Sequence, residues 1–400
     1  MKARYQYRIY PTQQQQTQLA KLFGCCRVVW NDALAKCRTA EKLPSDAALQ
    51  KSCITQAKNT EEREWLGEVS VIPLQQSIRD LGVAWKNFFD SLKGKRGGAK
   101  IKPPRFKKKS NRQTARFRRG GFSIKGKKVY LARIGNLKVH WSRPLPSEPS
   151  SVTVIKDRAG RYFLSFVVEI KPESIPAKAP SVGVDLGIKT FAVLSTGEKV
   201  KSPDYTKLNR KIRGEQRKLS RRQKGSKRRE RTRLRLAKLK AMLRDKRKDF
   251  LHKLSTRLVL HYQVVCLEDL NVSGMVKNRK LARAISEAGW REFRTMCENK
   301  SAKYGRETRT ISRWQPTSQY CCECNYRWGK LDLSIRELVC LGCGTLQDRD
   351  GNASRNIEAV GVGHTHNENW TGSGHKTSVG AIRVEPSTHL EDRQRKLNAC

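Results

Sequence analysis

The sequence predicts an α+β protein of several domains, and three observations carry that expectation. Its 400 residues are enough for two or three domains. Short apolar or alternating runs, the mark of strands, recur near 5–10, 128–131, 137–141, 152–156, 162–170, 181–185 and 264–268. Among them lie segments with apolar residues at three-and-four spacing, as half-buried helices require.

The first strand, 5–10, runs into Pro11 and Thr12, which open a helix with Thr12 as N-cap and Gln15 completing a capping box. Leu19, Leu22, Phe23, Cys26, Trp30, Ala33 and Leu34 make its apolar stripe. A later helix repeats the pattern with Leu74, Ile78, Leu81, Trp85, Phe88 and Leu92. Aromatics at this spacing read as helical core rather than as base-stacking groups. Residues 93–119 then carry 13 basic side chains and no acid, with Gly97-Gly98 and Pro103-Pro104 breaking regular structure. Phe106 and Phe117 interleave with these cations, which suits contact with nucleic-acid backbone and bases. Arg105, Lys107, Lys108 and Lys109 are the candidate contacts there. A turn at 157–160 joins two strands, and the proline-containing stretch 172–180 reads as a linker.

Residues 207–249 hold 21 Lys and Arg against 4 acids. Leu208, Ile212, Leu219, Leu234, Leu239, Met242 and Leu243 give only a thin apolar edge. The pattern predicts two long helices joined near 223–226, packed on one edge and cationic elsewhere. A merely solvated hairpin is the plainer alternative. The charge density favours a nucleic-acid brace, with Arg221, Arg222, Arg228 and Arg229 as contacts. Phe250, Leu254, Leu258 and Tyr262 lead this helix into an apolar strand; Trp290, Phe293, Met296 and Cys297 mark another core-facing helix, and 309–313 the next strand. Residues 362–400 are rich in Gly, Ser, His and Asn, so a disordered tail is expected, with His364, His366 and His375 solvated rather than metal-binding.

A formal net charge of +48, from 84 Lys and Arg against 36 Asp and Glu, points to a polyanionic partner. The charge is spread over several segments rather than one helix face, which argues against a membrane surface as that partner. No run approaches the length of an apolar membrane span, and the first residues lead into a strand. The expectation is a cytoplasmic protein with no membrane association.

Candidate chemistry centres on 181–197, where an apolar run carries the single acid Asp185, Gly187 turns the chain and 191–195 runs back. A carboxylate at the end of a buried strand is costly to desolvate unless something compensates it, although an ordinary turn residue is also consistent. Glu268 ends a second apolar strand, and Asp350 precedes a helix expected to open near Asn352. Three carboxylates at element ends are what a two-metal phosphodiesterase site requires. Of the 12 cysteines, Cys321-x-x-Cys324 and Cys340-x-x-Cys343 have the spacing of one tetrahedral, structural Zn²⁺ site. Cys322 is a bystander or a slipped ligand, and Cys26 and Cys266 fall on apolar faces as packing residues.

The words around these residues are more specific than their spacing. GVDLGIKTFAVLSTG, CLEDLNVSGM and the paired Cys-x-x-Cys followed by DRDGNASRNI closely resemble the TnpB family. That family comprises transposon-encoded RNA-guided DNA nucleases related to type V CRISPR effectors. YRIYPTQQQ, FGCCRVVWN, PPRFKKK and AISEAGWREFRTM extend the resemblance over residues 1 to about 358. It implies a wedge-like β-barrel from 1–10 and 93–172, a helical recognition lobe at 11–92, and a RuvC-like, RNase-H-type nuclease domain at 180–358 with a zinc insert at 318–345. It implies Asp185, Glu268 and Asp350 as catalytic acids holding Mg²⁺ or Mn²⁺, with Asp348 and Asp269 beside them. The partners implied are a guide RNA from the transposon end and target DNA beside a short adjacent motif. A nuclease-independent RNA-guided repressor or transposition accessory factor is the first alternative, against which the intact acids argue. A strand-transfer transposase is the second, against which the order Asp-Glu-Asp argues.

Overall fold

The computed structural model describes residues 1–110, 112–332, 334–363 and 381–383. Two compact units emerge, 1–171 together with 211–241, and 172–210 together with the chain from 242 on.

In the first unit, β1 (Lys2–Ile9) leads into α1 (Gln13–Thr39), and α2 (Asp46–Gln50) and α3 (Val71–Leu92) follow. Thr12 and Gln15 cap α1 reciprocally, as the sequence predicts. Strands β2 (Gln113–Arg118), β3 (Phe122–Lys125), β4 (Lys128–Leu131), β5 (Gly135–His140), β6 (Ser151–Lys156) and β7 (Tyr162–Glu169) complete the unit. They pair in the order β2-β6-β7-β1-β5-β4-β3, every pairing antiparallel. Where a barrel is expected, the strands thus form one sheet with β2 and β3 at its ends. One core joins Leu22, Trp30, Leu74 and Leu81 of the helices to Phe117, Val154, Leu164 and Phe166 of the strands.

The basic stretch 93–119 is more ordered than its composition suggests. Phe117 is fully buried in β2, so it is core and not a base-stacking group. Alternation hides behind Arg116 and Arg118, whose charges mask a strand with Ala115 and Phe117 on its inner face. Most of the basic hairpin, 211–241, also groups with this first unit and not with the second.

In the second unit, β8 (Ala179–Asp185), β9 (Ala192–Leu194) and β10 (Lys199–Val200) precede the hairpin helices α4 (Thr206–Arg221) and α5 (Lys227–His261). Next come β11 (Tyr262–Glu268), α6 (Val272–Met275), α7 (Ala282–Ala288), α8 (Trp290–Tyr304), β12 (Glu307–Ile311), β13 (Glu337–Cys340), β14 (Leu346–Asp348), α9 (Arg349–Val362) and β15 (Ala381–Arg383). A five-stranded sheet runs β10-β9-β8-β11-β12, with β8, β11 and β12 parallel and the other two antiparallel. Phe191, Leu254, Leu258, Trp290 and Phe293 pack over one face. Gly187 makes the predicted turn, where a Cβ would lie 2.7 Å from the Thr190 carbonyl oxygen.

The tail departs from expectation where it is described. Val362 still belongs to α9, and 381–383 pair with β13 as an added strand. The remaining tail, with His364, His366 and His375, lies outside the described residues.

Candidate active site

Parallel pairing of β8 with β11 matches Val184 with Leu267, so the next residues, Asp185 and Glu268, emerge side by side at adjacent strand ends. Helix α9 brings the third acid, Asp350, in its first turn. The helix is drawn onto the sheet by glycines. A Cβ on Gly183 would meet the Ser354 carbonyl oxygen at 1.9 Å, and one on Gly361 would meet Cys266 Sγ at 2.3 Å. Helix backbone therefore lies directly on strand backbone at Gly183 and on the Cys266 side chain at Gly361, approaches that only glycine permits. Ser181 adds a hydrogen bond to Glu358.

The electrostatics follow from this convergence. Burial, then the negative charges of Glu268 and Asp350, push the Asp185 carboxyl up to about 7, with Arg349 opposing. Burial also raises Glu268, while the Thr317 hydroxyl, donating to Glu268 Oε1 at 2.7 Å, works the other way. Asp350 pairs with Arg336 at 3.1 Å. The three carboxylates therefore lie within electrostatic reach of one another, in a site that burial has partly dried.

The neighbouring acids are occupied elsewhere. Asp348 is the N-cap of α9, accepting from Gly351 N at 2.7 Å, and its other oxygen pairs with Lys199 at 2.8 Å. The helix accordingly opens at Arg349, three residues earlier than the sequence suggests. Asp269 pairs with Arg294 at 2.8 Å and with Arg313, which hold its carboxyl below the usual range.

The Sγ atoms of Cys321, Cys324, Cys340 and Cys343 all lie within 4.8 Å of one another, as four ligands of one tetrahedral ion would. Cys322 is not among them; its N–H donates to Asn352 Oδ1 at 2.8 Å. Asn352 Nδ2 returns a bond to the Tyr320 carbonyl at 2.7 Å, and Asn356 Nδ2 reaches the Thr317 carbonyl at 2.7 Å. These two asparagines clamp the cysteine insert to the helix that bears Asp350. The sequence reading missed that role, as well as Thr317 and Arg336; the Asn at i+2 from Asp350 was its only signal.

The predicted nucleic-acid contacts divide. The 104–107 segment is bound to α1: Trp30 Nε1 and Arg38 donate to the carbonyls of Arg105 and Pro104, both at 3.1 Å, and Asn31 bonds both ways with Lys107. Lys107 Nζ sits 3.6 Å from the centre of the Trp30 ring, and burial lowers its pKa. It is therefore packed inward rather than presented, whereas Arg105, Lys108 and Lys109 are exposed. In the hairpin, Arg229 Nη1 donates to the carbonyls of Leu219 and Arg222, each at 2.6 Å, and Arg222 donates to the Arg228 carbonyl and to Thr232. These two arginines close the hairpin; Arg221 and Arg228 face outward. The apolar edge is also shifted: Leu236 is buried, while Leu234 and Met242 are exposed.

Residues 165–279 match the profile OrfB_IS605, described as a probable transposase, and 290–357 match a Cas12f1-like TNB domain. Residues 1–42 match a profile described as a helix-turn-helix domain, although here they form β1 and the single helix α1. A "Putative RNA-guided DNA endonuclease" of Streptomyces pristinaespiralis is 44% identical over 90% of both chains. The similarly named InsQ of Escherichia coli K12 is 29% identical over 89% of this chain and 92% of its own. A solved Cas12f1–sgRNA–target DNA complex aligns with 86% of this chain and 81% of its own, at 14% identity and a TM-score of 0.46. The 44% identity over nine-tenths of both chains, with the profile match across the Asp185 and Glu268 strands, decides the question: the chain belongs to the TnpB family, the OrfB type of IS605 transposase.

Proposed function

We propose that the chain is an RNA-guided DNA endonuclease that hydrolyses phosphodiester bonds at Asp185, Glu268 and Asp350. The observation that carries this reading is the burial of Asp185 beside the charges of Glu268 and Asp350, which together lift its carboxyl to about 7. Hard carboxylate oxygens suit Mg²⁺ or Mn²⁺, and ions seated there would supply an activated water and neutralise the leaving oxygen. Asp185 and Glu268 approach from adjacent strands and Asp350 from the helix, so the three hold the reacting phosphate's surroundings from different sides. Thr317 fixes one oxygen of Glu268, leaving the other to turn toward the site. The mixed five-stranded sheet with acids at its parallel strand ends supports an RNase-H-like, RuvC-type domain.

The guide and substrate come from the relatives' names, and the charge of +48 supports both as partners. In this reading the RNA derives from a transposon end and the cut falls beside a short adjacent motif. Exposed Arg105, Lys108, Lys109, Arg221 and Arg228 contact phosphates. The four cysteines hold structural Zn²⁺, since four thiolates leave no position for water. Purifying the protein with its RNA, sequencing that RNA and supplying matching DNA tests the proposal. Mg²⁺-dependent cleavage of matched DNA alone is expected. Sequence-matched binding without cleavage would replace the nuclease with a guided repressor.

A further inference from the structure

Beyond β12 the chain makes a turn through 312–317 whose two ends are tied to the acid edge. Arg313 donates to Asp269, and Thr317 donates to Glu268 at 2.7 Å. Inside the turn, Trp314 N donates to Ser312 Oγ at 3.3 Å and Gln315 N to the Ser312 carbonyl at 3.1 Å. Between these anchors Trp314 is 85% exposed, the most exposed large apolar side chain among the described residues.

A single exposed aromatic is ordinary on a protein surface. This one directly follows a residue lining a cavity of about 380 Å³, which Glu268, Asn271, Arg291, Arg294 and Arg313 also line. Asp269 and Glu298 line it as well and pair with Arg294 and Arg313, whereas Arg291 is exposed at its edge, and an aromatic face stands on the adjoining residue. Cations for phosphates and an indole for a base are what single-stranded nucleic acid recognition uses. Bases in a duplex are stacked on each other and offer no face to an indole.

We infer that Trp314 is a stacking platform for an unpaired base of the DNA strand being cut, with a neighbouring phosphate against the exposed Arg291. The inference rests on the nuclease reading, so its test reads binding as well as cleavage. Short single-stranded DNAs with 2-aminopurine at successive positions are added to the protein–guide RNA complex in EDTA, and cleavage of matched DNA is measured separately. The wild type should quench 2-aminopurine at one position, Trp314→Ala should lose that quench, and Trp314→Phe should keep most of it. Cleavage by Trp314→Ala should fall about tenfold to a hundredfold, the range that one base stack supplies. Equal quenching in wild type and Trp314→Ala, or none in either, overturns the inference, as does a lost quench with unchanged cleavage. Quenching by a wild-type complex that cuts no matched DNA would instead overturn the nuclease reading and leave the platform standing.

Discussion

The two candidate metal-binding clusters of the second unit are built in opposite ways. The cysteines come from two short knuckles within residues 321–343, with Sγ pairs at 3.6 and 3.7 Å. The acids come from two strands and a helix spread from 185 to 350, and meet only because strand register and two glycine contacts bring them together. A local cluster can be assembled by an ion with little surrounding fold, whereas a convergent one exists only when the whole sheet is right. Damage should therefore differ in kind: at the acids it removes chemistry and spares the fold, at the cysteines it removes local structure.

Alanine at Asp185, Glu268 or Asp350 should give the largest effect, lowering guided cleavage about a thousandfold or more with RNA affinity nearly unchanged. Asp348→Ala should cost about 1 kcal/mol of stability as a lost N-cap and less than about tenfold in cleavage. If Asp348→Ala abolishes cleavage and Asp350→Ala does not, the assignment of the third acid fails.

Next in size is the cysteine cluster. Cys321→Ser or Cys343→Ser should release metal and expose the insert to proteolysis, whereas Cys322→Ser should do neither. Elemental analysis should find about one zinc per chain, as a single four-thiolate site requires. Because Asn352 and Asn356 join the insert to α9, loss of zinc should also slow cleavage. Full cleavage by a zinc-free protein would separate the two clusters that the structure couples.

The basic segments give smaller effects. Replacing the outward-facing Arg213, Arg217, Arg221 and Arg228 with Gln should flatten the slope of log K for RNA against log salt by up to about 3, if all four touch phosphate. An unchanged slope would make the hairpin merely solvated. Arg229→Gln should leave that slope alone and cost about 1–2 kcal/mol of stability, since it removes bonds to two carbonyls at the hairpin turn.

Legibility in the sequence followed the same division. The cysteine ligands were readable from spacing, and the structure brings those four together while leaving Cys322 out. The α1 core was readable from periodicity, but in α3 only Leu74, Ile78 and Leu81 are buried, while Trp85 and Phe88 are half-buried and Leu92 is exposed near the helix end. The acids stood out through the wording around them, since carboxylates at strand ends are common. What failed was inference from charge. Arg116 and Arg118 concealed β2, Lys107 turned inward onto Trp30, and Arg222 and Arg229 bond to backbone. A cation's identity says nothing of whether its donors meet phosphate or a carbonyl of its own chain. Thr317 and Asn352 were missed because short polar residues acquire meaning only from the group placed opposite them.

The most direct test of the convergent site needs neither guide nor target: melting temperature with and without Mg²⁺, at pH 6 and pH 8. The Asp185 carboxyl is raised from its usual 3.8 to about 7. The bare protein therefore loses stability as pH rises from about 4 through about 7, and above that the penalty is complete. An ion must displace the proton, so its affinity should weaken about tenfold for each pH unit below 7. Mg²⁺ should consequently raise the melting temperature more at pH 8 than at pH 6. Asp185→Asn should be more stable than wild type at pH 8 without Mg²⁺ and gain little from adding it. Equal Mg²⁺ stabilisation of wild type and Asp185→Asn at both pH values would contradict the account.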